Sequence, residues 1–247
     1  MAHTLKADDT VLRVLRASVI DDAGLTLQGQ LSRPDYVAVN KFLEVAGAKW
    51  NRKAARHLFS TPQAKDKIEA LLDEGTIRDD KKYFNYFPTP SALAQRMVDL
   101  AGIKDGESVL EPSAGSGAIL RAIRASHPRN RVVAVEINEQ MTEIVNMAHR
   151  VFYGDFLDWR AVSDDTGTFN RILMNPPFEA DIKHIQHAIK FLKPGGRLVA
   201  ICAGGPRQQA VLQPLAENSG GIWEPLEPGT FKESGTMVNA VLLTIEG

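Results

Sequence analysis

The segment ILMNPPF at residues 172–178 joins an apolar run to an amide side chain, two prolines and an aromatic ring. Proline lacks a backbone N–H, and each proline pushes the residue before it toward an extended conformation. Asn175, Pro176, Pro177 and Phe178 should therefore form a stiff corner in which the carbonyl oxygens of Asn175 and Pro176 are free. Such a corner offers hydrogen-bond acceptors with an aromatic face beside them. The alternative is a Pro-Pro turn with no binding role.

A glycine turn follows the first predicted strand of the C-terminal part, in the run VLEPSAGSGAIL. Gly115 and Gly117 permit a tight turn and a close approach of backbone to a ligand, because glycine has no Cβ atom. Such a turn can also be purely structural. It is not the full dinucleotide fingerprint, since Leu120 replaces the third glycine. Glu111, before the loop, adds a carboxylate to the same region.

The next two predicted strands lead into acidic residues. Glu136 ends the second strand about 20 residues after the glycine turn, which is the position of a ribose-binding acid in nucleotide-binding sheets. A place beside a helix N-cap is the alternative. Asp155 follows the third strand and could accept a hydrogen bond from the amine of an adenine, with Phe156 or Ile137 against its ring. A turn-forming Gly-Asp pair is the alternative there.

The order of predicted elements indicates the fold. Short apolar strands alternate with helices, which is typical of a doubly wound, mostly parallel α/β sheet. Ligands bind such sheets beyond the carboxyl ends of the strands, so the segments above should meet at one edge. The final run at residues 237–245 suits an antiparallel edge hairpin with a strand near Ile222. The predicted strands are 108–111, 131–136, 151–153, 171–174 and 196–202, and the predicted helices are 91–100, 117–126, 139–147 and 181–192.

Composition is that of a globular protein. The 247 residues are 44% hydrophobic and 24% charged, and the net charge of −1 gives no global basic field that would indicate nucleic acid. No apolar run approaches the roughly 18 residues of a membrane span, and the N-terminus lacks the apolar region of a signal peptide. Cys202 is the single cysteine, which excludes an intramolecular disulfide framework and a cysteine zinc cluster. These features predict a cytoplasmic protein.

The chain is expected to divide near residue 85. Residues 1–85 are predicted to form a small α+β unit, and residues 86–247 the α/β domain. The segment between them, at residues 81–90, is dense in aromatics and prolines and should pack rather than flex. The predicted helices of the N-terminal unit are 11–16, 35–46 and 62–72, and its predicted strands are 25–28 and 56–59.

Five motifs occur in an order that resembles a known family. They are YFPTP at 86–90, LEPSAGSG at 110–117, VEIN at 135–138, GDF at 154–156 and NPPF at 175–178. Together they resemble S-adenosylmethionine-dependent amino-methyltransferases. The order, with the FxTP element before the glycine loop and NPPF after it, is similar to the gamma class of DNA adenine-N6 methyltransferases. The preceding segment looks like a unit often joined to phage- and plasmid-borne methyltransferases.

The resemblance implies a class I, Rossmann-like domain that binds S-adenosylmethionine. It places Phe87, Thr89 and Pro90 near the methionine end of the cofactor, with the Thr89 hydroxyl donating to the carboxylate. Thr89 and Pro90 also suit the start of a helix, and both roles can hold. Glu111 would face the cofactor's amino group. The other cofactor residues that the resemblance implies are Ser113, Gly115, Gly117, Glu136, Ile137, Asp155, Phe156 and Asn175.

The resemblance also implies how the corner acts. An adenine amino group is a poor nucleophile because its lone pair is delocalised into the ring. The Asn175 side-chain oxygen and the Pro176 carbonyl would accept its hydrogens and draw the nitrogen toward tetrahedral geometry, and the prolines fix the corner in advance. Phe178 would stack on the target ring, which must be flipped out of a duplex. Phe231 is a candidate second wall or, equally, a core residue.

Substrate recognition is expected outside the motifs. Enzymes of the gamma class that read long sites usually append a recognition domain, often larger than residues 1–85. Recognition is therefore expected from residues 1–85, from the loops at 159–169 and 204–207, or from a partner subunit. Residues 1–85 carry 14 Lys+Arg against 12 Asp+Glu. A basic cluster there could grip phosphates and stack a base, or form a solvated charged face. Its members are Lys49, Trp50, Arg52, Lys53 and Arg56.

Three classes of function follow. The leading hypothesis is a DNA adenine-N6 methyltransferase, and the variants are RNA methyltransferases acting on adenine N6 or guanine N2 and protein glutamine methyltransferases. A non-catalytic nucleic-acid-binding module is disfavoured by the intact NPPF corner. A nicotinamide-dependent oxidoreductase is disfavoured by the missing third glycine. No metal is predicted, since His184 and His187 have no third ligand nearby in sequence and indicate a solvated helix face.

Overall fold

The computed structural model describes residues 3–60, 63–79, 87–160 and 168–247. Contacts divide the chain into two compact units, Met1–Tyr83 and Phe84–Gly247. The packing predicted for residues 81–86 of the joining segment lies outside the described residues. The same holds for residues 161–167 of the candidate recognition loop.

The N-terminal unit contains helices and two small antiparallel sheets. Its elements are β1 Thr4–Lys6, α1 Asp9–Arg16, β2 Val19–Ile20, β3 Gly24–Thr26, α2 Arg33–Ala46, β4 Ala48–Asn51, β5 Arg56–Phe59, α3 Gln63–Glu74 and β6 Thr76–Arg78. One sheet has the order β2-β3-β5-β4, and the other pairs β1 with β6. The predicted helices are confirmed, as are the strands at β3 and β5. Strands β1, β2, β4 and β6, of two to four residues each, were not predicted.

Local signals and one apolar core hold this unit together. Helix α2 begins after Ser32, whose hydroxyl accepts the Asp35 N–H at 3.3 Å, and it ends at Gly47, where φ is 94°. The three helices and the larger sheet share one buried cluster, which includes Leu15, Leu25, Leu43 and Ile68. Burial of these apolar side chains stabilises the arrangement.

The C-terminal unit is a seven-stranded sheet flanked by helices. Its strands are β7 Ser108–Glu111, β8 Arg131–Glu136, β9 Arg150–Tyr153, β10 Phe169–Met174, β11 Leu192–Ala203, β12 Trp223–Pro225 and β13 Ala240–Glu246. Its helices are α4 Ser91–Ala101, α5 Ala118–Ser126, a 3-10 helix Thr142–Asn146, α6 Asp181–Ile189 and α7 Pro206–Asn218. The order is β12-β13-β11-β10-β7-β8-β9, with parallel pairing from β11 to β9 and antiparallel pairing of β13 with β11 and β12. The predicted doubly wound α/β fold is confirmed.

The last strand confirms its prediction. It pairs antiparallel with β12, and the two strands form a hairpin at the edge of the sheet, in which β13 is the inner strand beside β11 and β12 is the outer strand. The reason is burial: residues 240–245 are all buried. A strand covered on both faces gains most from an interior position, and the short β12 takes the edge.

The helix predicted at residues 139–147 is wrong. The Asn138 side-chain oxygen accepts the Gln140 N–H at 3.1 Å, and the Asn138 carbonyl accepts the Met141 N–H at 3.0 Å. The chain therefore turns before the 3-10 helix Thr142–Asn146 begins. Thr142, Val145 and Asn146 are weak helix formers, so local turn contacts decide the outcome.

Two apolar clusters cover the two faces of the large sheet. Successive residues of β10 alternate between them, with Leu173 in one cluster and Ile172 and Met174 in the other. Helices α4 and α5 contribute to the first cluster, and α6 and α7 to the second. The strands are fixed from both sides, and their carboxyl ends meet at one edge. Among the helices in the described ranges, none has the length and apolarity needed to cross a membrane.

Candidate active site

Asn175 follows β10, and the segment before α4 holds its side-chain amide. Its Nδ2 donates to the Phe87 carbonyl oxygen and to Thr89 Oγ1, both at 3.0 Å. A carbonyl oxygen can only accept, so the amide nitrogen must face Phe87 and the Oδ1 atom must face away. No residue in the described ranges donates to this Oδ1 atom. The fold thus orients a side-chain acceptor at the end of β10.

The two prolines use their carbonyl groups differently. The Pro177 carbonyl accepts the Ala180 N–H at 2.9 Å, in the turn that leads into α6. Within the described part of the chain, nothing donates to the Pro176 carbonyl. The corner therefore presents two acceptors, Asn175 Oδ1 and the Pro176 carbonyl.

A buried acid that the sequence analysis missed supports the corner from behind. Asp181, the first residue of α6, is fully buried, and its Oδ2 accepts the Ala203 N–H at 2.9 Å. Gln208 Nε2 donates to both Asp181 oxygens, at 3.0 and 3.1 Å. These hydrogen bonds join the first residue of α6, directly after the corner, to β11 and α7. An acid in the first turn of a helix was the available signal, but many such acids lie in solvent.

Glu111 is a buried polar group of the site, with 1% of its surface exposed. Its Oε2 atom has no hydrogen-bond partner among the described residues. Burial, and then the nearby Glu136 carboxylate, raise the pKa of Glu111 well above its usual range. A buried carboxylate without a partner is costly, and a cation at this position would stabilise its ionised form.

Glu136 connects the loops that follow β7 and β8. Its Oε2 accepts the Gly115 N–H at 2.6 Å, and its Oε1 accepts the Asn138 N–H at 2.8 Å. Burial raises the pKa of Glu136, and backbone hydrogen bonds from Asn138, Gly115 and Ile137 oppose the rise. A carboxylate has about four lone-pair sites, so Glu136 can still accept from a ligand hydroxyl. The ribose role stays a prediction, and a structural role accompanies it.

Gly117 has a conformational and a packing reason to be glycine. Its φ is 79°, in the left-handed region that glycine adopts without strain. A Cβ atom there would lie 3.0 Å from Met147 Sδ and 3.1 Å from Ile144 Cγ2. The glycine turn therefore packs directly on the 3-10 helix, and α5 can start at the sheet edge.

The FPTP segment, the glycine loop and the corner meet around a small cleft of ≈ 10 Å³. Pro90 itself sits at the N-cap position of α4, so the helix-start interpretation of Thr89 and Pro90 holds. The residues that line the cleft are Phe87, Thr89, Glu111, Ser113, Ala114, Ala118, Ile119 and Asn175.

The polar groups around the cleft suit the amino acid end of S-adenosylmethionine. The unpartnered Glu111 Oε2 suits an ammonium group. Thr89 Oγ1 accepts from Asn175, so its own hydroxyl proton remains available for a carboxylate. These donors and acceptors have the charges that the two ends of an amino acid require.

Asp155, Ile137 and Phe156 were predicted to lie around one adenine, but only Asp155 and Ile137 are exposed. Asp155 is exposed, and its Oδ1 accepts the Leu157 N–H at 2.8 Å, so the turn-forming alternative holds, and the second oxygen is left over. Ile137 is 48% exposed and can face an adenine ring. Phe156 corrects the prediction, because it is 3% exposed and packs against Trp159 and Phe191. Its ring belongs to the core beneath the sheet.

Three aromatic rings close the substrate side. Phe178 is stacked on Phe87 with ring centroids 5.8 Å apart, and Phe231 meets Phe178 edge-on at 5.6 Å. Phe178 is 8% exposed and Phe231 is fully buried. Phe231 therefore follows the core-packing alternative. Phe178 has no open face for a base in this conformation, since a ring needs a free face to stack on another.

The basic cluster lies on the β4–β5 hairpin of the N-terminal unit. Lys49, Trp50, Arg52 and Lys53 are exposed. Arg56 differs, because its Nη1 donates to Asp21 Oδ2 at 2.8 Å and its charge is compensated within the unit.

The two histidines of α6 are not on a solvated face. His184 is 8% exposed, and His187 Nε2 lies 3.3 Å from the Trp159 carbonyl. Both rings pack around Phe156. In the described part of the chain, no group of three His, Cys, Asp or Glu side chains is arranged to hold a metal ion.

This sheet is that of class I, Rossmann-like methyltransferases. Residues 91–219, more than half of the chain, match the family described as "Methyltransferase small domain", and the protein belongs to that family. The methyl donor is S-adenosylmethionine.

Three curated relatives give the range of similarity. The type II restriction enzyme and methyltransferase RM.BcgI of Heyndrickxia coagulans is 27% identical over 46% of this chain and 23% of its own length. The release factor glutamine methyltransferase of Koribacter versatilis is 28% identical over 58% of this chain and 50% of its own length. The type II methyltransferase M.TthHB8I of Thermus thermophilus is 38% identical over 36% of this chain and 20% of its own length. The chain thus spans half or less of the length of these relatives.

Two solved structures share the fold at low identity. The modification subunit of a candidate type I restriction enzyme from Vibrio vulnificus YJ016 aligns with a TM-score of 0.53 and 16% identity, over 98% of this chain and 65% of that one. A candidate RNA methyltransferase from Pyrococcus horikoshii aligns with a TM-score of 0.50 and 18% identity, over 67% and 89%. The first alignment includes the N-terminal unit.

Proposed function

We propose that the protein transfers a methyl group from S-adenosylmethionine to the N6 nitrogen of adenine in DNA. The observation that carries the proposal is the oriented Asn175 amide. Its nitrogen is committed to Phe87 and Thr89, which leaves Asn175 Oδ1 and the Pro176 carbonyl as acceptors beside the cleft. The adenine amino group has two N–H donors, and the two acceptors can take one each.

The cofactor, when bound, supplies a methyl group on a positively charged sulfonium. The residues of the chain then act by positioning. Asn175 Oδ1 and the Pro176 carbonyl accept the amino hydrogens, so that the nitrogen lone pair leaves the ring plane and is directed toward the methyl group. A new N–C bond forms as the S–C bond breaks, and the surplus amino proton leaves to water. A strong general base is not required, because the positive charge passes to a nitrogen that loses its proton readily.

DNA is the favoured polymer for two reasons. The order of the FPTP, glycine-loop and NPPF motifs is similar to the gamma class of DNA adenine-N6 methyltransferases. RM.BcgI and M.TthHB8I both carry type II methyltransferase names. The remaining recognition must then come from residues outside the motifs, since the corner reads an amino group and not a sequence.

A protein glutamine amide is the second candidate. The release factor glutamine methyltransferase matches 58% of this chain, a larger share than the type II relatives RM.BcgI and M.TthHB8I match. A primary amide also has two N–H donors on a planar nitrogen, so the same pair of acceptors fits it.

Transfer of labelled methyl groups tests both candidates. Purified protein is given S-adenosylmethionine with duplex DNA, single-stranded DNA, RNA or protein extract, and the digested products are identified by mass spectrometry. The expected product is N6-methyladenine in DNA, absent with Asn175→Ala and retained with the exposed control Asn218→Ala. N5-methylglutamine in protein, with unlabelled DNA, would replace the DNA proposal by the second candidate.

A further inference from the structure

The β4–β5 hairpin, residues 48–59, has an exposed surface that the methyltransferase chemistry does not use. Trp50 is 52% exposed, and Arg52 and Lys53 are exposed in the loop that joins the strands. In the described ranges, the side chains of Lys49, Arg52 and Lys53 have no ion-pair partner. The hairpin therefore combines uncompensated positive charge with an aromatic side chain.

The indole of Trp50 is supported from within the unit. Trp50 is paired with His57 across the hairpin, and the two rings lie 5.3 Å apart at an angle of 65°. His57 is fully buried, and its Nε2–H donates to Asn40 Oδ1 of α2 at 3.0 Å. The Asn40 amide is fixed in turn, because its Nδ2 donates to Glu44 at 2.7 Å. The exposed part of the indole is thus held in place before any ligand arrives.

The hairpin loop is also ordered. Asn51 Oδ1 accepts the backbone N–H groups of Lys53 and Ala54, both at 3.0 Å. Ala55 has a φ of 49°, a left-handed conformation that residues other than glycine seldom adopt. These contacts keep the two loop cations next to the Trp50 end of β4.

Two acids near the hairpin have cation partners of their own. Asp21 on the β2–β3 turn is paired with Arg56 at 2.8 Å, and Asp22 is paired with Lys65 at 2.6 Å. Arg56 is therefore a structural cation, and it is left out of the surface. Positive charge remains on Lys49, Arg52 and Lys53.

The alternation of the strand separates these cations. Trp50 lies on the same face of β4 as the buried Ala48, while Lys49 lies on the opposite face. A nucleic acid backbone that runs past the indole therefore lies on the face of β4 opposite to Lys49, with the loop cations at the end of the strand. Lys49 is thus a matched control with the same charge on the same strand.

We propose that the β4–β5 hairpin binds DNA, with the Trp50 indole stacked on an unpaired base and with Arg52 and Lys53 on the adjacent phosphates. Cations that track a backbone beside an aromatic platform are the means by which proteins bind single strands. The inference rests on the proposed function for the choice of DNA as the polymer. It adds the surface that binds the DNA.

Binding of a fluorescein-labelled single-stranded DNA by the full chain tests the hairpin. The measurement uses the Asn175→Ala background, so that turnover plays no part. Trp50→Ala should weaken binding about tenfold, while Trp50→Phe keeps a stacking ring and should stay within about threefold. Because two phosphate contacts are lost, R52A/K53A should reduce the slope of log Kobs against log salt by about 1.4. K49A should leave that slope unchanged.

Three outcomes would overturn the inference. They are unchanged affinity in a Trp50→Ala variant that melts like the parent, a slope change in K49A equal to that of R52A or K53A alone, and binding of RNA in place of DNA.

Methyl transfer by the variants with Asn175 restored separates this inference from the proposed function. Trp50-dependent binding without transfer to DNA would remove only the proposed function. If DNA binding and methyl transfer to DNA are both unchanged by Trp50→Ala, only the proposed role of the hairpin is refuted.

Discussion

The cofactor half and the substrate half of the cleft are built in opposite ways. On the cofactor side, a buried Glu111 oxygen lacks a partner, and Glu136 holds the Gly115 and Asn138 amides. On the substrate side, Phe178 is covered by Phe87 and Phe231. The cofactor half keeps polar groups available for a ligand, whereas the aromatic rings of the substrate half pack against one another.

The difference follows from the type of interaction that each ligand would make. Strand ends and backbone amides can hold a carboxylate in place when no ligand is bound, because the sheet fixes them. Exposed aromatic rings gain by packing on one another, since that removes apolar surface from water. A flipped base would have to replace those ring contacts. We therefore expect the cofactor side to be ready for its ligand and the substrate side to rearrange when the base enters.

The largest effect is expected at Asn175, where the two halves meet. Asn175→Ala removes one of the two acceptors for the amino group, and kcat should fall about 100- to 1,000-fold. Cofactor affinity should stay within about twofold, since the variant keeps Glu111 and Glu136. Single-turnover methyl transfer and calorimetric binding of the cofactor measure the two quantities. An equal loss in both would mean that Asn175 serves the cofactor side.

Glu136→Gln should weaken cofactor binding and leave kcat nearly unchanged, the reverse of the effect expected for Asn175→Ala. The amide keeps the shape but replaces one acceptor oxygen by a donor, which cannot accept from the Gly115 or Asn138 N–H. Cofactor binding should weaken about 10- to 100-fold, as expected when a buried hydrogen-bonded carboxylate is lost, while kcat at saturating cofactor changes little. Unchanged affinity by calorimetry would remove the ribose assignment.

Glu111→Gln tests the readiness of the cofactor side through pH. The raised pKa means that the native state keeps a proton that the unfolded chain releases above the ordinary value of 4.5. The free energy of unfolding therefore falls as pH rises from that value to the native pKa. Without cofactor, the Gln variant should be more stable by about 1–3 kcal/mol at pH values above the native pKa, and equal to the parent below about pH 4.

Urea denaturation across this pH range measures the effect. The same variant should bind S-adenosylmethionine about tenfold more weakly, because it lacks the charge for the ammonium group. A parent protein whose stability does not fall above the ordinary Glu range would show that Glu111 is already compensated. The cofactor half would then not differ from the substrate half.

Ser234→Ala should give the smallest change and tests the closed state of the substrate side. The Ser234 hydroxyl donates to the Pro88 carbonyl at 2.7 Å and joins the segment that carries Phe231 to the FPTP turn. Loss of one such bond is worth about 1 kcal/mol, so KM for a DNA substrate should fall up to about fivefold. Cofactor affinity should not change. A higher or equal KM would indicate that this segment need not move.

Much of the C-terminal unit was accessible from the sequence because its signals are local. Strands β7 and β8 match their predicted bounds, since short buried strands of a parallel sheet are continuous apolar runs. The fold then brings Glu111, Gly115, Glu136 and Asn175 to one edge, because parallel strands share their carboxyl ends. Sequence order and that rule were enough to predict the neighbourhood.

Local sequence patterns were sufficient to predict the class of fold, the rigid corner at Asn175 and the chemical types of the groups around it. The directions in which the side chains face depend on contacts that form only in the folded protein. In the folded protein, Phe156 and Phe231 are buried in the core, Arg56 is paired with Asp21, and the Asn175 amide nitrogen faces the Phe87 carbonyl. The physical reason is that backbone conformation follows from local patterns, whereas burial and hydrogen-bond pairing depend on partners distant in sequence.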